Sequence, residues 1–346
     1  MLIKQNNPHG GDVYSRDILL DLSSNMNPAG MPEKVKAAIR DSAENSWRYP
    51  DPYCRRLRKG ISASEGVPED CIICGNGAAD LIYSYAFSLP KDRPVLIVSP
   101  TFSEYQTALE AAGADISFYM LREEDGFRLT DGILAEDLQS YGAVFICTPN
   151  NPTGIAVDPG LVGRLADTGA RLFFDMCFLD LTGDPDRYGI PELLEKHKNV
   201  TVLRAFTKSY SMAGIRLGYA MSFDSELLEE MSAKTQCWNV SSVAQDAGAA
   251  ALECGDWLKE SVRTISSERS RLAAELRAAG AEVWPGEANY LLLRTDRDLF
   301  SDMLRYRILI RDCSNYRGLG TGFYRIAVRG PEENDIFINA LREIYR

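Results

Sequence analysis

From about residue 70 to 220 the chain keeps one rhythm, a short β-rich run followed by a turn and a helical stretch. CIIC, PVLIVS, ISFYM, AVFICT, RLFFD, VTVLRAF and RLGYAM are the strand-like runs, separated by segments such as AADLIYSYAFSL and EYQTALEAAGA. Strands that alternate with helices are joined by crossovers, so this rhythm predicts an α/β domain around a largely parallel sheet. Beyond about 225 the texture changes to long helical stretches interrupted by the strand-like runs NYLLLRT and YRIAVR, which predicts a smaller α+β part. The polar, turn-rich arm up to Met31 is expected to pack across both, and against the small domain in particular. The expected division is therefore an arm at 1–31, a large domain at 32–235 and a small C-terminal domain at 236–346, with no internal repeat.

A length of 346 residues suits one large domain or two unequal ones, and 45% hydrophobic with 25% charged residues is the balance of a compact globular chain. The net charge of -11 argues against a nucleic-acid or anionic-membrane surface, which needs a basic face, so an anionic ligand must meet a local cluster of Arg or Lys. MLIKQNNPHGGDVY has no apolar core of a signal peptide, and no stretch approaches the roughly 20 apolar residues of a membrane helix; the expected location is the cytoplasm. Several of the eight cysteines sit inside apolar runs, as Cys147 and Cys177 do, and read as small buried hydrophobes. Cys71 and Cys74 form a CxxC, but in a strand such positions point to opposite faces, so neither redox nor metal chemistry is expected there. With only His9 and His197 as imidazoles, no histidine-rich metal site is expected.

Four segments carry chemistry. CIICGNGAADLIYSYA sets a glycine-bounded turn between a strand and a helix, where backbone N–H groups and a helix N-terminus face an anion; glycine there is equally explained by sterics alone. NNPTG after AVFICT puts Asn151 in a rigid turn at a sheet edge, and it could be no more than a good turn. RLFFD ends on Asp175, where open α/β sheets place ligands; a buried carboxylate needs a partner, and a protonated pyridine nitrogen or a helix to be capped would each serve. In RAFTKSYSMAGIRLGYAM, Thr207 and Arg216 offer a hydroxyl and a guanidinium to a phosphate, while the amine of Lys208 is placed to attack a carbonyl.

NNPTG, the strand-end Asp and TKSYSMAGIRLGY, in that order, resemble the fold-type I pyridoxal-phosphate enzymes of the aminotransferase superfamily across nearly the whole chain. The resemblance implies that Lys208 carries pyridoxal 5'-phosphate, that Asp175 partners the pyridine nitrogen and that Asn151 bonds the ring's 3-hydroxyl oxygen. It places Phe102 on the ring face and the phosphate on Gly77, Ala78, Ala79, Thr207 and Arg216. Tyr49 in RYPDP resembles the tyrosine that reaches the neighbouring subunit's phosphate, which implies a homodimer with shared sites. The family usually has tyrosine three residues after the strand-end Asp; Phe178 stands there instead, leaving the hydroxyl contact mostly to Asn151.

HGGDVY, LDLSSNMNPAGMP, CWNVSSVAQDAG and IRDCSNYRGLGTGFYRIAVR narrow the resemblance to the histidinol-phosphate aminotransferase group, and within it to the threonine-phosphate decarboxylases of cobalamin synthesis. That implies decarboxylation of L-threonine O-3-phosphate to (R)-1-aminopropan-2-yl phosphate, with transamination of histidinol phosphate as the alternative. His9, Asn27, Asn151, Arg311 and Arg325 are the implied substrate contacts. Two arginines on neighbouring elements of an acidic protein suit a carboxylate plus a phosphate, although surface pairing with acids would also explain Arg311. A cofactor-binding regulator is the contrasting class; it needs a helix-turn-helix module, for which the short arm leaves no room.

Overall fold

A computed structural model describes residues 9–346. A short strand in the arm, β1 (Leu20–Asp21), precedes the seven strands of the main sheet: β2 (Ile72–Gly75), β3 (Val95–Ser99), β4 (Ile116–Met120), β5 (Ala143–Cys147), β6 (Leu172–Asp175), β7 (Val200–Ala205) and β8 (Gly218–Ser222). Their order is β2-β8-β7-β6-β5-β3-β4, and all neighbours are parallel except the two pairs that involve β8. Two antiparallel steps restore the direction, so β2 runs with β7 and its C-terminal end lies on the same edge as theirs.

The central strands are apolar throughout because the sheet is covered on both faces. Val144, Ile146, Phe174 and Val202 enter one core with Leu57, Ile61, Leu161 and Leu165 from covering helices. The alternate residues Phe145, Phe173, Leu203 and Ala205 enter the opposite core with Leu81, Tyr85, Leu109 and Met231. Each large side chain buried this way contributes about 1.5–3 kcal/mol, which fixes the strand ends firmly enough to hold a site.

The smaller sheet comprises β9 (Glu282–Val283), β10 (Tyr290–Arg294), β12 (Arg311–Asp312) and β13 (Phe323–Ala327), in the antiparallel order β12-β13-β10-β9. Leu291, Leu293 and Ile326 pack there with Ile265 and Leu272 of the helix Gly255–Ala278 and Phe337 and Leu341 of Pro331–Ile344. The remaining strand, β11 (Ile308–Leu309), pairs in parallel with β1 and ties the arm to this part. The helix Ser242–Ala251, expected with the C-terminal part, packs instead on Glu33–Ser42 and Arg55–Glu65, its alanines joining Val35, Leu57 and Ile61. Small residues allow that close approach, and the move to the smaller sheet is made by the long helix that follows. Among the described residues no helix is long and apolar enough to cross a membrane.

Candidate active site

Turns at the C-terminal ends of β2, β3, β5, β6 and β7 bring their side chains to one edge of the main sheet, where they meet the arm and the smaller sheet around a cavity of about 250 Å³. Ala78, Ala79, Phe102, Asn151, Asp175, Phe178, Thr207, Lys208, Arg216, His9, Arg311 and Arg325 all line it.

The turn after β2 uses glycine for a reason. Gly77 has φ +84°, and a Cβ there would lie 2.5 Å from Nη2 of Arg216. A Cβ on Gly218 would lie 2.9 Å from the amide nitrogen of Ala78. Without these two methyls, the guanidinium of Arg216 settles over the start of the helix Ala78–Ser88, which carries no side-chain cap. Uncapped N–H groups, a helix dipole and an arginine converge on one point, the arrangement a phosphate requires. Arg216 itself sits at φ +61°, an unfavourable backbone region for a residue with a side chain.

Asp175 is the last residue of β6, and its carboxylate accepts from the hydroxyl of Tyr105 at 2.6 Å and from the backbone N–H of Cys177 at 3.0 Å. Tyr105 is fully buried, and burial holds its hydroxyl in the protonated, donating form. The two bonds fix the carboxylate and leave lone pairs for another donor. Lys208 lies in the single-turn helix Phe206–Ser209 after β7, with Nζ 3.9 Å from Sδ of Met26. Burial first, and the positive charges of Arg325 and Arg216 next, bring its amine down to about 8. An amine so placed is partly neutral near neutral pH and able to act as a nucleophile. A phosphate cradle, a fixed carboxylate and a basic amine thus fit pyridoxal 5'-phosphate.

On the opposite wall Arg325 is only 6% exposed, donates to Oδ1 of Asn151 and the carbonyl of Ser23, and its Nε has no partner among the described residues. It forms no ion pair among the described residues, so a buried positive charge faces the cavity without a carboxylate. Arg311 lies over the ring of Tyr316 at 5.2 Å and donates to Oδ1 of Asn315 at 2.7 Å. His9 bonds Glu104 at 2.7 Å and leans on Phe102, with ring centroids 5.4 Å apart. Phe178 meets Tyr290 edge-on at 5.0 Å, and the Tyr290 hydroxyl is used by the carbonyl of Asn150.

Three expected residues are not on the cavity lining: Gly77, which shapes the turn beneath Arg216, and Asn27 and Tyr49, which stand elsewhere. Asn27 is outside the cavity lining, its amide donating to the carbonyl of Ser209 and to Oγ of Ser261, both at 2.8 Å, while its Oδ1 accepts from the N–H of Ala29. Its amide thus ties the arm both to the lysine turn and to the helix Gly255–Ala278. Its neighbour Asn25 lines the cavity instead, 2% exposed and with no partner for its Oδ1 among the described residues. Tyr49 is 78% exposed and stacks on Trp238 with centroids 4.4 Å apart, away from the cavity of its own chain. Residue-type reasoning also passed over Tyr105, whose only signal is its place three residues after Phe102 on the strand-edge face of a helix, and Tyr316, which lies in a loop.

The profile of the family described as Aminotransferase class I and II matches residues 17–341. Threonine-phosphate decarboxylase of Salmonella typhimurium is 37% identical over 98% of this chain and 97% of its own length. The adenosylcobalamin biosynthesis bifunctional protein of Leptospira interrogans is 30% identical over 94% of this chain and 39% of its own. Among solved structures, histidinol-phosphate aminotransferase from Clostridium acetobutylicum superposes with a TM-score of 0.87 at 29% identity, covering 94% of this chain and 99% of that one.

Proposed function

We propose, from the premise that the chain belongs to the class I and II aminotransferase family, that it is a pyridoxal-phosphate-dependent carboxy-lyase acting on L-threonine O-3-phosphate. The observation that carries this reading is the pair of arginines on the wall facing Lys208. Arg325, buried without a carboxylate, takes the α-carboxylate of the substrate, and Arg311 takes its phosphate. Tight anchoring of the phosphate sets how the carboxylate is turned, and that orientation decides which bond at Cα breaks. Bound pyridoxal phosphate supplies the electron sink for the pair left when carbon dioxide departs. Asp175, fixed by Tyr105 and the Cys177 amide, would keep a proton on the ring nitrogen of the bound group. Lys208, on the same edge, would hold a proton at Nζ and deliver it to Cα. Asn25, the buried amide on the same wall, supplies a further polar contact to the substrate in the place expected of Asn27.

Tyr49 acts on the site of a second copy, so the working unit is a homodimer in the cytoplasm. Its exposure together with Trp238, stacked on it and itself partly exposed, supports this, since exposed paired aromatic rings suit a partner surface. The product, (R)-1-aminopropan-2-yl phosphate, serves cobalamin synthesis, in keeping with the adenosylcobalamin protein among the relatives. Similarity to histidinol-phosphate aminotransferase makes transamination the competing reaction. Carbon dioxide release from O-phospho-L-threonine, without need of a keto acid, is the expected result. Glutamate formed or consumed with histidinol phosphate, and no carbon dioxide from phosphothreonine, would overturn the reading.

A further inference from the structure

Beyond the wall formed by Phe102, Arg311 and Tyr316 lies a second cavity of about 270 Å³, which shares those three residues with the first. Its floor is the β3 end at Ser99 with the turn through Ser103, its side is Phe118 of β4, and its roof is the loop that carries Asn315 and Arg317. The roof lies close because Gly318, at φ +88°, has no side chain: a Cβ there would be 2.5 Å from Cε of Met120. That approach sets the guanidinium of Arg317 over the ring of Phe118, 3.9 Å from its centroid. The aromatic face holds the flat side of the cation and leaves its edge N–H groups to point elsewhere.

The charge of this chamber is opposite to that of the protein. Net charge over the chain is -11, yet the described lining holds Arg311 and Arg317 and no Asp or Glu. Arg317 enters no ion pair among the described residues. A cavity of about 270 Å³ has room for a hydrated tetrahedral oxyanion.

We propose that this second cavity is an oxyanion site for a phosphomonoester or inorganic phosphate, with Arg317 as its own cation and Arg311 shared with the reaction cavity. It stands apart from the cradle at Gly77 and Arg216, and as a station for the substrate's phosphoryl group it rests on the phosphorylated-substrate reading above. An anion held by Arg317 meets no acidic side chain among the described lining of the second cavity before it reaches Arg311, and the one carboxylate described on the lining of the first, Asp175, is held by Tyr105 and the Cys177 amide.

The test is calorimetric titration of the cofactor-loaded protein with inorganic phosphate, wild type against Arg317→Gln and Phe118→Leu. Arg317→Gln is expected to weaken one phosphate-binding step by roughly tenfold or more, as loss of a charge-assisted contact does, and Phe118→Leu to weaken it less. Phosphate binding identical in wild type and Arg317→Gln would overturn the proposal. Steady-state kinetics then separate the two sources of phosphate. A KM for O-phospho-L-threonine that rises more than kcat falls assigns the site to arriving substrate, whereas an unchanged KM with loss of inhibition by free phosphate assigns it to the inorganic ion. If wild type does not turn over phosphothreonine while phosphate binding still depends on Arg317, the proposed reaction fails and the oxyanion site stands.

Discussion

Asp175, Lys208 and the Gly77 turn stand on the ends of strands buried on both faces, whereas His9, Asn25 and Arg311 stand on the arm and on a two-residue strand. One cavity therefore has a wall that its backbone fixes and a wall that tertiary packing assembles. On the first, the carboxylate of Asp175 is held in place by Tyr105 and the Cys177 amide. On the second, cationic groups converge from separate parts of the chain, where the two anionic groups of the proposed substrate would be held. The comparison teaches that chemistry and specificity are carried here by structures of different stiffness.

Changes on the strand-end wall should therefore hurt most, and in kcat. Lys208→Ala is expected to abolish covalent attachment of the cofactor and to lower turnover by about 10²–10⁴-fold or more, since it removes the proton carrier; borohydride trapping and peptide mapping check the attachment. Asp175→Asn should keep the cofactor bound while slowing turnover by about two orders of magnitude, because an uncharged partner no longer holds the ring nitrogen protonated. Wild-type turnover in Asp175→Asn would reduce that carboxylate to a structural cap and break the contrast.

On the packed wall the effects are smaller and show in discrimination. Wild type should prefer O-phospho-L-threonine to L-threonine by roughly two orders of magnitude in kcat/KM, the loss of one charge-assisted anchor. Arg311→Ala should shrink that ratio by about tenfold while changing activity on L-threonine little. The smallest effect is a shift in pH. Lys208 reacts as the neutral amine, so the rate of cofactor attachment to the apoprotein should rise with pH about a midpoint near 8. Arg325 lowers that midpoint by its positive charge, so Arg325→Gln should move it to higher pH, towards the ordinary lysine value. A midpoint unchanged by Arg325→Gln would mean that burial and Arg216 set it without Arg325.

The same division governs how much could be read from residue order. The strand-and-helix rhythm and the positions of Lys208, Asp175 and Asn151 were legible because strand ends and their turns leave local signatures in apolar runs and glycines. Arg311 and Arg325 were legible as a pair because neighbouring strands of the smaller sheet carry them, opposite one another in register. Asn25 and Asn27 could not be told apart, since SSNMNP offers two asparagines two residues apart and only packing shows which one spends its amide on Ser209 and Ser261. Tyr105 was hidden for a related reason, as a helical tyrosine looks like core until its hydroxyl is seen on Asp175. The place of Ser242–Ala251 depended on helix-to-helix contacts that periodicity does not encode.

The amide of Asn27 has a reach beyond its own position. Its backbone N–H donates to the carbonyl of Lys208, its side chain to the carbonyl of Ser209, and its own carbonyl accepts from the Ser211 hydroxyl. A few residues earlier the same strap pairs through β1 with β11 and receives the N–H of Ala327 on the carbonyl of Leu22. The lysine turn and the smaller sheet are thus stitched to one ribbon, and linkage works in both directions. Whatever immobilises Lys208 must also protect the ribbon, so cofactor loading should slow proteolytic nicking between residues 9 and 31, and cutting there should loosen the cofactor.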